Sequence, residues 1–268
     1  MRSRKASKKA RDDVGTGVLP DFLILGTEKG GTSTLYWTLC QHPLIEPATK
    51  KEVHFFDSRR WFEKDVRWYR SQFPALPPGD GRMAVTGEAS PYYLLHPHTP
   101  RRAFITVPDA KLIALLRNPI DRAYSAYRHK LRRGQETLSF EEALEGEEER
   151  TVGELGRMLA DETYRSRAYP LYSYQARGIY VDQLIRWHEH FDPDQLLVLK
   201  SEDYFTNPKG ITERVHEFLG LPKSDVVIER RKKLPYQPMD PATRRRLEEY
   251  FEPHNRRLYD YLGVDFGW

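Results

Sequence analysis

Asp21-Phe22-Leu23-Ile24-Leu25-Gly26-Thr27-Glu28-Lys29-Gly30-Gly31-Thr32-Ser33-Thr34-Leu35-Tyr36-Trp37-Thr38-Leu39 decides how the chain is read. Its apolar run, Phe22 to Leu25, has the length of a buried strand. A turn rich in glycine and hydroxyls follows at once, and a helical pattern from Thr34 to Leu39 stops near His42-Pro43. Strand, glycine-rich turn and helix together build an anion site. Glycine lets the backbone approach the anion, and the first free N–H groups of the helix point at it. The loop departs from the triphosphate-binding pattern G-x-x-x-x-G-K-[ST]. Gly26 and Gly31 keep the separation and Ser33 keeps the hydroxyl, but Thr32 stands in the lysine place. The loop's lysine is Lys29, ahead of the glycine pair, so it approaches an anion from elsewhere. A glycine-rich turn with no ligand is the plainer alternative.

Outward from this stretch, apolar runs alternate with amphipathic ones. Strands are expected at Met83–Glu88, Lys111–Leu116 and Leu196–Leu199. Helices are expected at Trp61–Phe73, Thr99–Thr106, from Pro119 through Arg128, at Leu138–Arg150, Tyr174–His190, after Asn207-Pro208, and at Ala242–Leu262. Ser139 and Glu142 have capping-box spacing. In the last helix Leu247, Tyr250, Phe251, Leu258 and Tyr261 are assigned inward. Pro43–Lys51 reads as irregular, Glu52–Phe56 as a short strand or extended loop, and Leu76–Gly81 and Pro235–Pro238 as turn or loop. In the extended reading Glu52 and His54 share a face. The alternation predicts an α/β fold with a parallel sheet covered by helices.

Arg117 closes the clearest buried strand, and Ser125 follows it two turns into a helix. Arginine binds phosphate in a bidentate manner and serine adds a hydroxyl. The alternative is that Arg117 pairs with Asp121 and Ser125 faces the helix surface.

The segment Glu28-Lys29-Gly30-Gly31-Thr32-Ser33, followed at short spacing by Lys51-Glu52-Val53-His54-Phe55-Phe56-Asp57, resembles the sulfotransferases that use 3′-phosphoadenosine 5′-phosphosulfate (PAPS). The resemblance is to the heparan-sulfate branch and its bacterial relatives, and covers about Asp21 to Trp268. It implies a P-loop-like α/β sulfotransferase fold. It implies that Lys29, Gly30, Gly31, Thr32, Ser33 and Thr34 hold the donor's 5′ side, with Lys29 neutralising the bridging oxygen of the leaving group. Arg117 and Ser125 would hold the 3′-phosphate, which ATP lacks. Glu52 would be the general base, its pKa raised by apolar Val53, Phe55 and Phe56. His54 is a second base or a relay, or else a hydrogen-bonded core histidine. Asp57 would orient a basic partner or the acceptor. Glu88 lies where the family has a Glu-Lys-Thr-Pro-type segment, with Ala89 in the lysine place, and is expected at the acceptor. Tyr92 is expected to line the acceptor cleft or the core. Tyr180 and a basic residue of Arg230–Lys233, here taken as Lys233, are expected at the nucleotide. No metal is expected, because no Cys/His cluster has ligand spacing and the family's reaction needs none.

The chain has 268 residues, 39% of them hydrophobic and 31% charged, with net charge +4. Its mean hydropathy is -0.72. Residues 1–18 are expected to form a basic, disordered arm, and 19–268 one domain. No apolar run is long enough for a transmembrane helix, no apolar segment follows the basic N-terminus as in a secretory signal, and the single Cys40 makes no internal disulfide. A cytoplasmic location is expected. The acceptor is expected to be a small molecule or glycan, with nucleic acid not expected as a partner. A P-loop small-molecule kinase is the first alternative function; a non-enzymatic polyanion binder is the second.

Overall fold

The structure, a computed structural model, describes residues 17–75, 84–227 and 237–268. The expected arm over 1–16, the turn at Leu76–Gly81, Met83 and the basic loop through Lys233 to Tyr236 lie outside the described residues. Five strands, β1 (Phe22–Gly26), β2 (Ile45–Pro47), β3 (Val85–Ala89), β4 (Lys111–Leu116) and β5 (Leu196–Lys200), form one parallel sheet in the order β2-β3-β1-β4-β5. The order reverses direction at β1. In open α/β sheets such a point leaves a crevice at the carboxyl ends of the strands, where ligands bind.

β1 is buried on both faces because its side chains alternate between two cores. Phe22 and Ile24 pack with Leu35, Tyr36 and Leu39 of α1 (Thr32–Leu39), and Leu23 and Leu25 pack on the other face with Tyr180, Leu184 and Trp187. All four β1 side chains are fully buried, each contributing about 1.5–3 kcal/mol relative to exposure. β4 alternates in the same way, with Ile113 and Leu115 on one face and Leu112, Ala114 and Leu116 on the other. The pairing Phe22↔Gly87 needs the glycine, since a Cβ there would stand 2.6 Å from the Phe22 ring.

Several expectations are corrected. Ile45–Pro47, assigned to irregular chain, is an edge strand, where a proline is tolerated. Trp61–Phe73 is two short helices, α2 (Arg60–Glu63) and α3 (Val66–Arg70), because the Asp65 carboxylate accepts from Trp68 N at 3.1 Å and starts a new helix. Glu52–Phe56 is neither a strand nor extended throughout: it is loop with His54 in the left-handed region at φ 53°, and Phe56 lies in a turn. α4 (Thr99–Thr106) and α5 (Pro119–Arg132) form as expected, with Asn118 capping the latter. The acidic stretch is α6 (Phe140–Glu145), carrying the Ser139/Glu142 capping box, then α7 (Glu147–Thr151). Two further helices, α8 (Glu154–Ala160) and α9 (Ala168–Tyr172), follow. Tyr174–His190 is not one helix. It is a 3-10 turn at Ala176–Gly178 and then α10 (Tyr180–His188), with Gly178 pressed so close to Phe251 that a Cβ would lie 2.6 Å from its ring. α11 (Ser201–Thr206), α12 (Pro208–Phe218) and α13 (Pro241–Leu262) complete the described chain. In α13, Leu247, Phe251 and Leu258 are buried, but Tyr250 and Tyr261 are 37% and 40% exposed, because they lie off the stripe that meets α5 and α10. Among the described residues no helix is long and apolar enough to cross a membrane.

Candidate active site

The carboxyl ends of β1 and β4 open into a cleft of about 2340 Å³, well above the 300–1,000 Å³ typical of a small-molecule pocket. It has room for two substrates side by side. Lys29, Gly31, Thr32, Ser33, Thr34, Glu52, His54, Asp57, Tyr92, Arg117 and Ser125 all line it. Residues up to 96 positions apart in the sequence are thus brought to one wall system, Lys29 to Ser125.

The loop between β1 and α1 has the features of an anion site. Gly31 is the N-cap of α1 with φ 100°, and it has no side chain to accept from the first amides of the helix. No acid stands in that first turn, so the amides of Thr32, Ser33 and Thr34 remain available at the positive end of the helix dipole. Lys29 takes a left-handed backbone, φ 68°, costly for a non-glycine residue and characteristic of binding loops. Burial lowers the Lys29 pKa from its ordinary value, Glu28 acts against this, and Arg132 and Arg117 add to it. Gly30 departs from expectation. It is buried behind the loop with its N–H bonded to Thr27 O at 2.9 Å, and a Cβ there would stand 2.5 Å from Leu115 O. Its role is to let the loop lie on β4 rather than to touch a ligand.

Arg117 sits against the same loop, its Nη1 donating to Lys29 O at 3.1 Å and its guanidinium 6.0 Å from the Phe205 ring. Asp121 is paired with Arg244 at 2.5 Å, so the alternative Arg117–Asp121 pair does not form. Tyr180 is corrected from ligand contact to support. It is 1% exposed, lies outside the cleft lining, and its hydroxyl donates to Arg117 O at 2.7 Å. α11 braces both halves of this wall, with Ser201 Oγ donating to Gly30 O at 2.7 Å and Glu202 accepting from Asn118 N at 3.0 Å. Phe205, on the same helix, was missed by sequence reasoning. It lines the cleft between Gly31 and Arg117 and is 38% exposed.

The Glu52–Asp57 loop also lines the cleft. His54 bridges two carboxylates, with Nδ1 2.7 Å from Asp57 Oδ2 and Nε2 3.3 Å from Glu52 Oε2. Lys51 Nζ is 2.5 Å from Glu52 Oε1. Burial disfavours the imidazolium, but Asp57 and then Glu52 overcome it and hold His54 up at about 10. In return the hydrogen bond from His54, with Lys51, outweighs burial and holds the Glu52 carboxyl down at about 2. This corrects the expected apolar elevation of Glu52. Val53, Phe55 and Phe56 face the core at 0–2% exposure, whereas the Glu52 side chain is 45% exposed among charges.

Glu88 is likewise corrected. It is 0% exposed and does not reach the cleft. Its carboxylate accepts from Tyr69 OH at 2.7 Å, Tyr93 OH at 2.9 Å, Ser90 Oγ at 2.6 Å and Val53 N at 3.2 Å. Ser90 Oγ in turn accepts from His54 N at 3.2 Å, and Tyr93 OH from Phe55 N at 2.9 Å. Glu88 therefore holds the Glu52–His54 backbone from beneath, and burial raises its pKa.

The His54 pKa, raised from 6.5 to about 10, gives a pH dependence of stability. The folded state gains from this proton below pH 6.5 and loses the gain as pH rises toward 10. Wild-type Tm should therefore fall between pH 7 and 10 by more than that of His54→Gln, as differential scanning calorimetry would register. Parallel slopes for the two proteins would refute the bridged imidazolium.

Comparison with known proteins follows the same lines. The family model described as Sulfotransferase domain matches residues 19–255. The chain is 31% identical over 276 residues to human heparan sulfate glucosamine 3-O-sulfotransferase 6, covering 93% of this chain and 73% of that protein. It is 25% identical to the membrane-associated sulfotransferase kil1 of Dictyostelium discoideum, covering 93% of this chain and 66% of that one. A crystal structure of a sulfotransferase from Alicyclobacillus acidocaldarius superposes with a TM-score of 0.74 at 34% identity, covering 93% and 98% of the two chains. These matches favour neither the kinase nor the polyanion-binder alternative.

Proposed function

The chain belongs to the sulfotransferase domain family and is a sulfotransferase, and from that premise we propose how its own residues carry the reaction and on what acceptor. The observation that carries the proposal is the meeting, in one cleft, of the Lys29–Thr34 loop, the Arg117/Ser125 pair and the Glu52 carboxylate. The family's donor is PAPS. The amides and hydroxyls of Thr32, Ser33 and Thr34 take its 5′ end, and Arg117 and Ser125 take its 3′-phosphate. Glu52 accepts the proton of the acceptor hydroxyl as that oxygen bonds to sulfur. The bond from sulfur to the bridging 5′-phosphate oxygen breaks, and its electron pair leaves on 3′-phosphoadenosine 5′-phosphate beside Lys29. His54, fixed between Asp57 and Glu52, orients the base.

The acceptor proposed is a carbohydrate hydroxyl. Support comes from the glycan named for the 31%-identical relative and from Arg165 and Arg167 in the cleft lining, charges suited to an anionic sugar. Tyr92 also lines the cleft. We further propose that 19–268 act as one catalytic domain and that the protein works in the cytoplasm, in keeping with its single cysteine.

Thermal unfolding tests the donor reading. At a hundred times its dissociation constant a native-state ligand stabilises by about 2.7 kcal/mol, or roughly 5–10 °C for a chain of this size. That shift is expected with 3′-phosphoadenosine 5′-phosphate, not with ADP or ATP, without Mg²⁺, and is expected to vanish in Arg117→Ala. An equal shift with ADP would sink the 3′-phosphate assignment.

A further inference from the structure

The loop assigned to an anion also contains an acid. Glu28 precedes Lys29, lines the same cleft, and its side chain is 24% exposed. A PAPS molecule brings several negative charges to this place. An uncompensated carboxylate there would repel them and compete for the Lys29 ammonium.

The carboxylate is compensated from far along the chain. Glu28 Oε2 is ion-paired with Arg177 Nη1, from the 3-10 turn Ala176–Gly178. Arg177 is only 4% exposed, and its two terminal guanidinium nitrogens are both engaged while Nε has no partner. Nη2 donates to Pro170 O at 2.8 Å, the guanidinium lies 5.5 Å from the Tyr92 ring centroid, and its backbone carbonyl accepts from Gln183 Nε2 at 3.0 Å. A planar, always-charged fork so constrained is a rigid counter-charge. Burial opposes the Glu28 charge, yet Arg177, followed by Lys130, Arg122 and Lys29, holds the carboxyl at about 2. Glu28 therefore stays ionised at neutral pH, and of the cations that neutralise it Arg177 is the one directly paired with it.

We propose that Arg177 is a positioning residue for donor binding: it pairs with Glu28 and neutralises it, so that the carboxylate neither repels the donor nor occupies the Lys29 ammonium. This rests on assigning the Lys29 loop to the donor's 5′ end. The competing role is a neutral cross-link that merely ties the loop to the 168–178 segment. The two differ in sign. If Glu28 repels the donor once unpaired, removing Arg177 harms binding, removing Glu28 does not, and removing both repairs the first loss. A cross-link is lost equally from either end.

The experiment is calorimetric titration of 3′-phosphoadenosine 5′-phosphate into wild type, Arg177→Gln, Glu28→Gln and the double variant. Arg177→Gln should weaken binding tenfold or more, about 1.4 kcal/mol. Glu28→Gln should bind at least as tightly as wild type, and the double variant should recover most of the Arg177→Gln loss. Both single variants break a buried pair and are expected to lower Tm. If Arg177→Gln fails to fold, the sign of the Glu28→Gln effect decides alone. Wild type that binds while Glu28→Gln binds more weakly overturns the role of Arg177 only. Wild type that does not bind the nucleotide overturns the donor assignment, and the role of Arg177 falls with it.

Discussion

Glu52→Gln is expected to lower kcat by about 10²–10⁴-fold, the usual range for loss of a general base, while donor binding and Tm stay close to wild type. Stability should hold because the Glu52 side chain is 45% exposed, so solvent screens its pairs with Lys51 and His54, and glutamine can still accept from both. Glutamine keeps the shape and can still accept from the acceptor hydroxyl, but it cannot take the proton. The resting Glu52 pKa of about 2 is low for a base, and its cause points to how it is corrected. His54 and Lys51 hold it down. A bound anionic donor brings like charge, which raises a carboxyl pKa. The acid limb of kcat, which reports the complex, should therefore lie at higher pH than the acid limb of kcat/KM, which reports the free enzyme. Steady-state kcat and kcat/KM for wild type and Glu52→Gln across pH 4–9 test both statements: the acid limb of kcat should enter that window, and that of kcat/KM should stay below it. Near-wild-type turnover in the variant would remove Glu52 as the base.

Lys29→Ala should cost about 10²–10³-fold in kcat, the scale seen when one preorganised donor of charge stabilisation is removed. The loss of donor affinity should be smaller, since the first-turn amides of α1, Arg117 and Ser125 remain. The variant is clean for a structural reason. What the fold takes from Lys29 is its carbonyl, which accepts from Arg117 Nη1 at 3.1 Å, and its left-handed φ of 68°, which alanine pays for no more heavily than lysine. The change thus reads out the ammonium. Stopped-flow quench of the sulfuryl step, with nucleotide affinity measured separately, distinguishes the two effects. Equal losses in both would mean that Lys29 binds the ground state and transition state alike.

Much of the frame was legible because it rests on local rules. The apolar runs that became β1 and β4 are buried on both faces, so nothing interrupts their hydrophobicity. α4 lies over the residues expected, and Ser139/Glu142 and Asn207 cap the helices their spacing announced. β2 was missed because three residues at a sheet edge, two of them exposed, carry almost no pattern. Tyr180 was placed at the nucleotide with the resemblance, since its sequence position does not tell whether the ring faces the cleft or the core. In the fold its ring is inside the core and only its hydroxyl reaches Arg117.

The sequence by itself determined the sheet-and-helix frame and the glycine-rich turn after β1, and its family resemblance named Glu52, His54, Arg117 and Ser125 as candidate site residues. Strand and helix periods, caps and glycine-rich turns are short-range properties, written within a few residues of where they act. Only the tertiary structure decided the charge states and the supports. It turned Val53, Phe55 and Phe56 away from Glu52 and set His54 and Lys51 beside it. It buried Glu88 under the Glu52–His54 segment and brought Arg177 to Glu28 across 149 residues. Electrostatic environment depends on distance in space and on what excludes water, and neither is a function of spacing along the chain.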